Sequence, residues 1–160
     1  MKNIIIIRHA KSSWEFQLKD IDRPILKKGI EKSYKVAEAS RLFFKENSII
    51  FISNAKRTQQ TAKIFLKFIT TEEKNIFIKN DLYTFSLSEF EEIVKSCPNE
   101  HKNLILFGHN GAITDFVNKF GDVYIDNVRT SGFVSITFET DDWKSIKKGK
   151  TDKIIFPSHI

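Results

Sequence analysis

The sequence predicts an α/β fold, a three-layer α/β/α sandwich around a mostly parallel central sheet. Short apolar runs rich in β-branched residues recur at Asn3–Ile7, Ser48–Ile52 and Asn103–Phe107, the composition of strands covered on both faces. Segments of helical periodicity separate them, and strands that alternate with helices specify a layered architecture. Each run also empties into a polar turn: Arg8-His9, Ser53-Asn54, and Gly108-His109-Asn110-Gly111.

The elements follow in order. Asn3 to Ile7 is the first strand, and a loop containing Asp20-Ile21-Asp22-Arg23-Pro24 leads to a helix from Lys27 to Lys45. Its Ile30, Tyr34, Ala37 and Phe44 recur at helical spacing. The second buried strand closes on Ser53 and Asn54, which are good caps for a helix from Lys56 to Phe68. Asn75 to Lys79 reads as a short strand and Leu87 to Ser96 as a helix. The third buried strand is followed by a helix from Ala112 to Lys119. Phe133 to Phe138 alternates like a partly exposed strand, and a last strand lies near Asp152 to Phe156. No repeat or Pro/Gly-rich linker interrupts the chain, so residues 1–160 are expected to form one domain.

Composition narrows the function. The chain is 41% hydrophobic and 29% charged, with fifteen phenylalanines, which predicts an ordered core. The single cysteine, Cys97, excludes an internal disulfide framework and fits a reducing compartment. It lies where a helix ends, so it reads as a packing residue. The first apolar run is too short for a secretory signal and is broken at once by Arg8. Nothing approaches a membrane span. The expectation is a cytoplasmic monomer with no membrane association. The net charge of +6 raises nucleic acid as a partner, yet the lysines are dispersed and carry no stacking platform, so no nucleic acid is expected. Mild attraction to acidic substrates or proteins is what the charge supports.

The three polar turns carry the chemistry. In a parallel sheet they share one edge, the edge where α/β sheets place their ligand crevices. The first supplies Arg8 and His9, the second Ser53 and, one helical turn on, Arg57, the third His109 and Asn110. Arginine matches phosphate oxygens with a fixed fork of donors, and histidine is a covalent catalyst. A helix opening at Ser53 offers backbone N–H groups to an anion. Singly, each residue has a dull explanation; jointly they read as a phosphate site with a nucleophile in it.

These residues resemble the histidine phosphatase superfamily and, within it, the short phosphohistidine phosphatases of the SixA type. Arg8-His9-Ala10 matches an Arg-His-Gly signature, with Ala10 in place of glycine. Arg8 through Trp14 is similar to the subgroup's own version. Asp22-Arg23-Pro24-Ile25 with Gly29 resembles its Asp-x-Arg-Pro-Leu…Gly segment. Ser53 through Ala62 is similar to its Ser-Pro-x-x-Arg-x-x-Gln-Thr motif, with Asn54 replacing proline. Gly108-His109-Asn110 matches the second-histidine motif, and Trp143 with Phe156-Pro157-Ser158 its ending.

The resemblance implies a phosphoglycerate mutase-like fold, no cofactor, no metal, and a phosphorylated protein or small phosphorylated compound as substrate. His9 is then the nucleophile, and Arg8, Arg57 and a protonated His109 surround the phosphoryl group. Arg23 is implied near the pocket mouth, although it also stands beside Asp20 and Asp22 as ion-pair partners. Ser53 and Asn110 are further phosphate-binding candidates, with capping as their alternative role. Leu82 through Glu89 looks like a subgroup segment without an obvious acid. Glu89 is the one candidate proton donor there, against a first-turn position that the helix dipole favours on its own. A phosphohistidine's imidazole leaves more readily than an alkoxide and needs less acid help. The expected reaction is hydrolysis of phosphohistidine on a partner protein, with a small-molecule phosphomonoesterase as the alternative.

Overall fold

A computed structural model describes residues 1–15 and 17–160. Six strands form one sheet in the order β3-β2-β4-β1-β5-β6: β1 (Lys2–Arg8), β2 (Ile49–Ser53), β3 (Ile76–Lys79), β4 (Asn103–Gly108), β5 (Phe133–Phe138) and β6 (Lys150–Ile155). β3, β2, β4 and β1 run parallel, while β5 is antiparallel to both β1 and β6. The helices are α1 (Lys27–Ser40), α2 (Lys56–Phe65), α3 (Leu87–Lys95) and α4 (Ala112–Phe120). The predicted sandwich and its mostly parallel sheet are therefore present.

Strand alternation divides the core into two layers. Ile5 and Ile7, with Ile50, Ile52, Ile105 and Phe107, pack against Val36 and Ala37 of α1 and Ala62 and Phe65 of α2. Ile4, Ile6, Phe51, Leu104 and Leu106 face Phe90 and Ile93 of α3 and Ile113 and Phe116 of α4. An unbroken isoleucine run thus serves both faces at once, as a central strand requires.

Three expectations need correction. The first helix stops at Ser40 rather than Lys45, and a 3-10 turn, Arg41–Phe43, follows. Ser40 Oγ donates to the carbonyls of Val36 and Ala37, and leaving the helix lets Phe43 and Phe44 turn onto Phe133. β5 is buried along nearly its whole length, because β1 and β6 flank it and both core layers extend over it. Neither Ser53 nor Asn54 caps α2, whose N-cap is Ala55 without a side-chain bond; Ser53 is engaged elsewhere, as described below. Cys97 is buried, and burial pushes its thiol up to about 12, consistent with a packing role. Among the described residues, no helix is long and apolar enough to cross a membrane.

Topology fixes where a ligand would bind. The chain leaves β1 for β2 on one side of the sheet and leaves β4 for β5 on the other. β1 and β4 are neighbours whose outgoing connections diverge, and the crevice beyond their carboxyl ends is the preferred ligand position. His9 and His109 are the residues that follow those two strands.

Candidate active site

The turns after β1 and β4 are tied together by main-chain bonds. His9 N donates to Gly108 O at 3.2 Å, and Ser131 N donates to the carbonyls of Arg8 and His9. Ala10 N donates to Thr61 Oγ1, whose hydroxyl donates to Arg57 O, so α2 is clamped to the turn that carries His9. The two imidazoles end 5.4 Å apart between ring centres.

His9 is buried, and its Nδ1 lies 2.7 Å from Ala10 O. A carbonyl only accepts, so Nδ1 holds the proton and Nε2 presents its lone pair. Burial, reinforced by the charges of Arg57, Arg8 and Arg23, lowers its pKa to about 3 against the weaker upward pull of the Ala10 carbonyl. The ring is neutral at physiological pH.

His109 is 1% exposed, covered by the edges of Tyr83 and Phe85. Its Nε2 stands 2.7 Å from Ser53 Oγ and its Nδ1 3.4 Å from Arg57 Nη2. A guanidinium only donates, so Nδ1 accepts and Nε2–H donates to Ser53. Burial first, then His9 and Arg57, lowers His109 to about 3. The second histidine, expected to be protonated, is therefore neutral, because it is buried and has Arg57 beside it; an anion at Arg57 would favour its protonation. Ser53, expected as a phosphate ligand or cap, instead orients this ring.

Arg57 is 1% exposed. Its Nη1 donates to Asp20 O at 2.7 Å and its Nη2 to Asp20 Oδ2 at 3.0 Å. Arg23 Nε reaches the other Asp20 oxygen at 3.1 Å, and its Nη1 donates to Ser12 Oγ and Ser13 O. The Tyr83 hydroxyl completes the cage by donating to Asp20. Desolvation alone would raise the Asp20 pKa, but hydrogen bonds from Tyr83, Arg57 and Arg23 outweigh it and hold the carboxyl at about 2. Arg8 Nη1 donates to Val128 O at 2.9 Å. Among the described residues, the Nε atoms of Arg8 and Arg57 are buried without a hydrogen-bond partner, a cost that folds accept mainly where function requires it.

A cavity of about 680 Å³ opens over this cluster, lined by Arg8, His9, Arg23 and Arg57 and, on its rim, by Lys11, Lys32 and Arg129. Among the described residues, Asp20 is the only carboxylate that lines it. Asn110 also lines it; its Nδ2 donates one hydrogen to Asn127, and its Oδ1 accepts from Thr114 N and Oγ1, which ties the carbonyl end of its amide to α4. Glu89 is exposed in the first turn of α3, accepts from Thr84 Oγ1 at 2.7 Å, and is not part of the cavity wall. Among the described residues, no group of three or more His, Cys, Asp or Glu side chains is arranged to hold a metal ion.

The structure thus brings Arg8, His9, Arg57, His109 and Arg23 together. Sequence reasoning missed the grip of Asp20 and Tyr83 on Arg57. The available signal was Asp20 itself, three residues before Arg23, which had been weighed only as a partner for that arginine.

Similar proteins have this architecture. The protein histidine phosphatase SixA, solved with tungstate, superposes with a TM-score of 0.81 at 17% identity over 98% of each chain. A phosphoserine phosphatase from Entamoeba histolytica, solved with 3-phosphoglyceric acid, gives 0.65 at 14% identity over 96% of each. An uncharacterised chloroplastic protein of Arabidopsis thaliana is 38% identical over 63 residues, 39% of this chain, and the matched stretch spans only 29% of that relative. The family model of the histidine phosphatase superfamily (branch 1) matches residues 4–103. That match runs from β1 to the opening of β4 and so includes Arg8, His9 and Arg57: the chain belongs to the histidine phosphatase superfamily.

Proposed function

We propose that this protein is a phosphohistidine phosphatase that removes the phosphoryl group from a histidine of a partner protein through a phospho-His9 intermediate. His9 Nε2 attacks phosphorus while the P–N bond to the substrate imidazole breaks, and the leaving imidazole keeps the electron pair and takes a proton from solvent. Water then attacks phospho-His9, whose P–N bond breaks to give inorganic phosphate and neutral His9. Arg8, Arg57 and Arg23 supply the fixed charge that spreads over the equatorial oxygens, the main demand of phosphoryl transfer. His109 adds a donor from Nδ1 once the incoming dianion lets it protonate.

The observation that carries the choice of leaving group is Asp20. Among the described residues it is the only carboxylate on the cavity wall, and its pKa of about 2 keeps it ionised. A group so acidic has no proton to give an alkoxide near neutral pH, whereas an imidazole needs little help. The reading therefore favours P–N over P–O substrates, and a small-molecule phosphomonoesterase is the competing outcome.

The test is a panel scored by phosphate release: phosphoramidate and a phosphohistidine peptide against p-nitrophenyl phosphate and a sugar phosphate. P–N compounds turn over fastest if the reading is right. A sugar phosphate handled better than both P–N compounds would replace it with the phosphomonoesterase. His9→Ala should lose turnover and covalent labelling while circular dichroism stays native; substantial activity in that folded variant would refute His9 as nucleophile.

A further inference from the structure

The cavity wall also carries a charge cluster that the proposed chemistry does not use. Gly29 lies against the main chain of Lys11, so close that a Cβ there would stand 2.7 Å from Lys11 O. Leu26 N donates to that same carbonyl at 2.8 Å. This packing sets Lys11 on the first turns of α1, beside Lys28 and Lys32, which share a helix face at i and i+4. Lys28, and then Lys32, pull the Lys11 ammonium below its ordinary value. Lys11 and Lys32 line the cavity that holds Arg8 and His9, and Arg129 lines it with them.

Among the described residues, none of these four cations is ion-paired. The first turn of α1 contains no acidic residue and no side-chain cap. Lys28 and Lys32 repel Lys11, Arg129 adds its charge to the same cavity, and an arrangement of that kind is expected where an anion relieves it. The cations are exposed on an open rim rather than enclosed. Trp14 and Phe85 line the same cavity: Trp14 is 80% exposed and stacks on Arg23 at 3.7 Å, and Phe85 is half exposed. Exposed aromatic residues are enriched at protein interfaces, whose rims are polar and solvent-accessible.

We infer that Lys11, Lys28, Lys32 and Arg129 form a second anion-binding shelf that docks carboxylates on the surface of the phosphorylated partner, next to the residue whose phosphoryl group enters the pocket. The shelf rests on the proposed function for its occupant. An acidic partner face is favoured over a small polyanion because the cations spread outward from the pocket instead of closing around it.

The probes are two phosphohistidine peptides of equal length, one flanked by Asp and Glu and one by Ser and Asn, together with the unphosphorylated acidic peptide. Wild type should show kcat/KM at least ~10-fold higher for the acidic peptide in about 20 mM salt, with the preference largely lost at about 200 mM. The K11E/K28E/K32E variant should invert or abolish the preference, and K11Q/K28Q/K32Q should reduce it, with circular dichroism as the folding control. Fluorescence anisotropy of the unphosphorylated acidic peptide should follow the same order. Equal kcat/KM for both peptides overturns the shelf, as does anisotropy indifferent to salt and charge reversal. Tighter binding of a single-stranded oligonucleotide than of the acidic peptide at equal salt overturns the protein partner. Failure of phosphoramidate to turn over refutes the phosphohistidine reading instead, and the anisotropy comparison still decides the shelf.

Discussion

Asp20 and Arg57 form a two-point contact inside the candidate site: Arg57 Nη1 donates to the Asp20 carbonyl at 2.7 Å and Nη2 to its carboxylate at 3.0 Å. The fork that would grip a phosphoryl group therefore already holds an anion. Entry of a phosphoryl dianion must compete with this internal carboxylate, which also fixes the guanidinium in place. Removing the charge while keeping the shape should separate those two effects. Asp20→Asn is expected to tighten tungstate inhibition about tenfold, a change of ~1.4 kcal/mol, well below a buried-pair value because the Asp20 side chain is 43% exposed. Inhibition titrations on both proteins check it, and weaker tungstate binding in the variant would assign Asp20 to positioning alone.

Arg57→Ala should cost ~10²-fold or more in kcat/KM, since it removes one preorganised charge from the transition state and also frees Asp20. Ser53→Ala tests the other side of His109. The 2.7 Å contact to Nε2 would be lost, with the longer bond from Ala55 N at 3.4 Å, and the fall should be smaller than for Arg57→Ala. Equal losses in the two variants would make ring orientation as important as charge.

The two histidines predict the acid behaviour. Each has a folded-state pKa of about 3 against an ordinary 6.5. Their depression means that the unfolded chain binds more protons than the folded one between those values. The stability they allow is complete above about 6.5 and is lost progressively as pH falls toward 3. Asp20, lowered from 3.8 to about 2, adds loss in the same direction at still lower pH. Imidazole NMR signals of His9 and His109 should stay in the neutral form from pH 7 to 5, while thermal midpoints fall over that range. Adding tungstate should move the His109 signal toward the protonated form. Titration of either ring near 6.5 in the free protein would contradict the buried, cation-ringed site.

Gly29→Ala tests how α1 is seated. In an exposed helix interior this change stabilises by up to ~1 kcal/mol. Here the added methyl would meet a backbone oxygen at 2.7 Å and Ala10 Cβ at 3.3 Å, and neither atom is the tip of a flexible chain. The clash outweighs propensity, so the variant should lose ~1–3 kcal/mol and shift the Lys11 end of the cavity. Urea denaturation measures the sign. A stabilised variant would show that the turn after β1 yields easily.

The fold was legible because the three isoleucine- and leucine-rich runs can only be central strands, and the polar turns after them mark one edge. Arg8, His9, Arg57 and His109 could be read for the same reason, since each follows a strand by zero to four residues. What was illegible depends on packing between segments far apart in sequence. Ser53 looks like a cap, and only the position of β4 reveals that His109 Nε2 is within its reach. Asp20 meets Arg57 across 37 residues, with nothing local to announce it. β5 alternates like an edge strand, and its burial comes from β6, a lysine-bearing strand that sequence pattern places poorly.

The leaving-group question turns on Glu89, the carboxylate named from sequence as a potential acid. It accepts from Thr84 Oγ1 at 2.7 Å and is absent from the cavity wall. Glu89→Gln should therefore leave phosphoramidate and p-nitrophenyl phosphate hydrolysis within about twofold of wild type, where loss of a true general acid would cost ~10²–10⁴-fold on alkyl phosphates. With Asp20 held ionised, Glu89 outside and His109 assigned to the phosphoryl oxygens, the rate is expected to depend on how well the leaving group departs without a proton. Across a series of aryl phosphates, log kcat/KM should rise steeply as the phenol becomes more acidic, with equal slopes in wild type and Glu89→Gln. A shallow wild-type slope that steepens only in Glu89→Gln would make Glu89 the proton donor and the protein a phosphomonoesterase, with α3 moving toward the cavity when substrate binds.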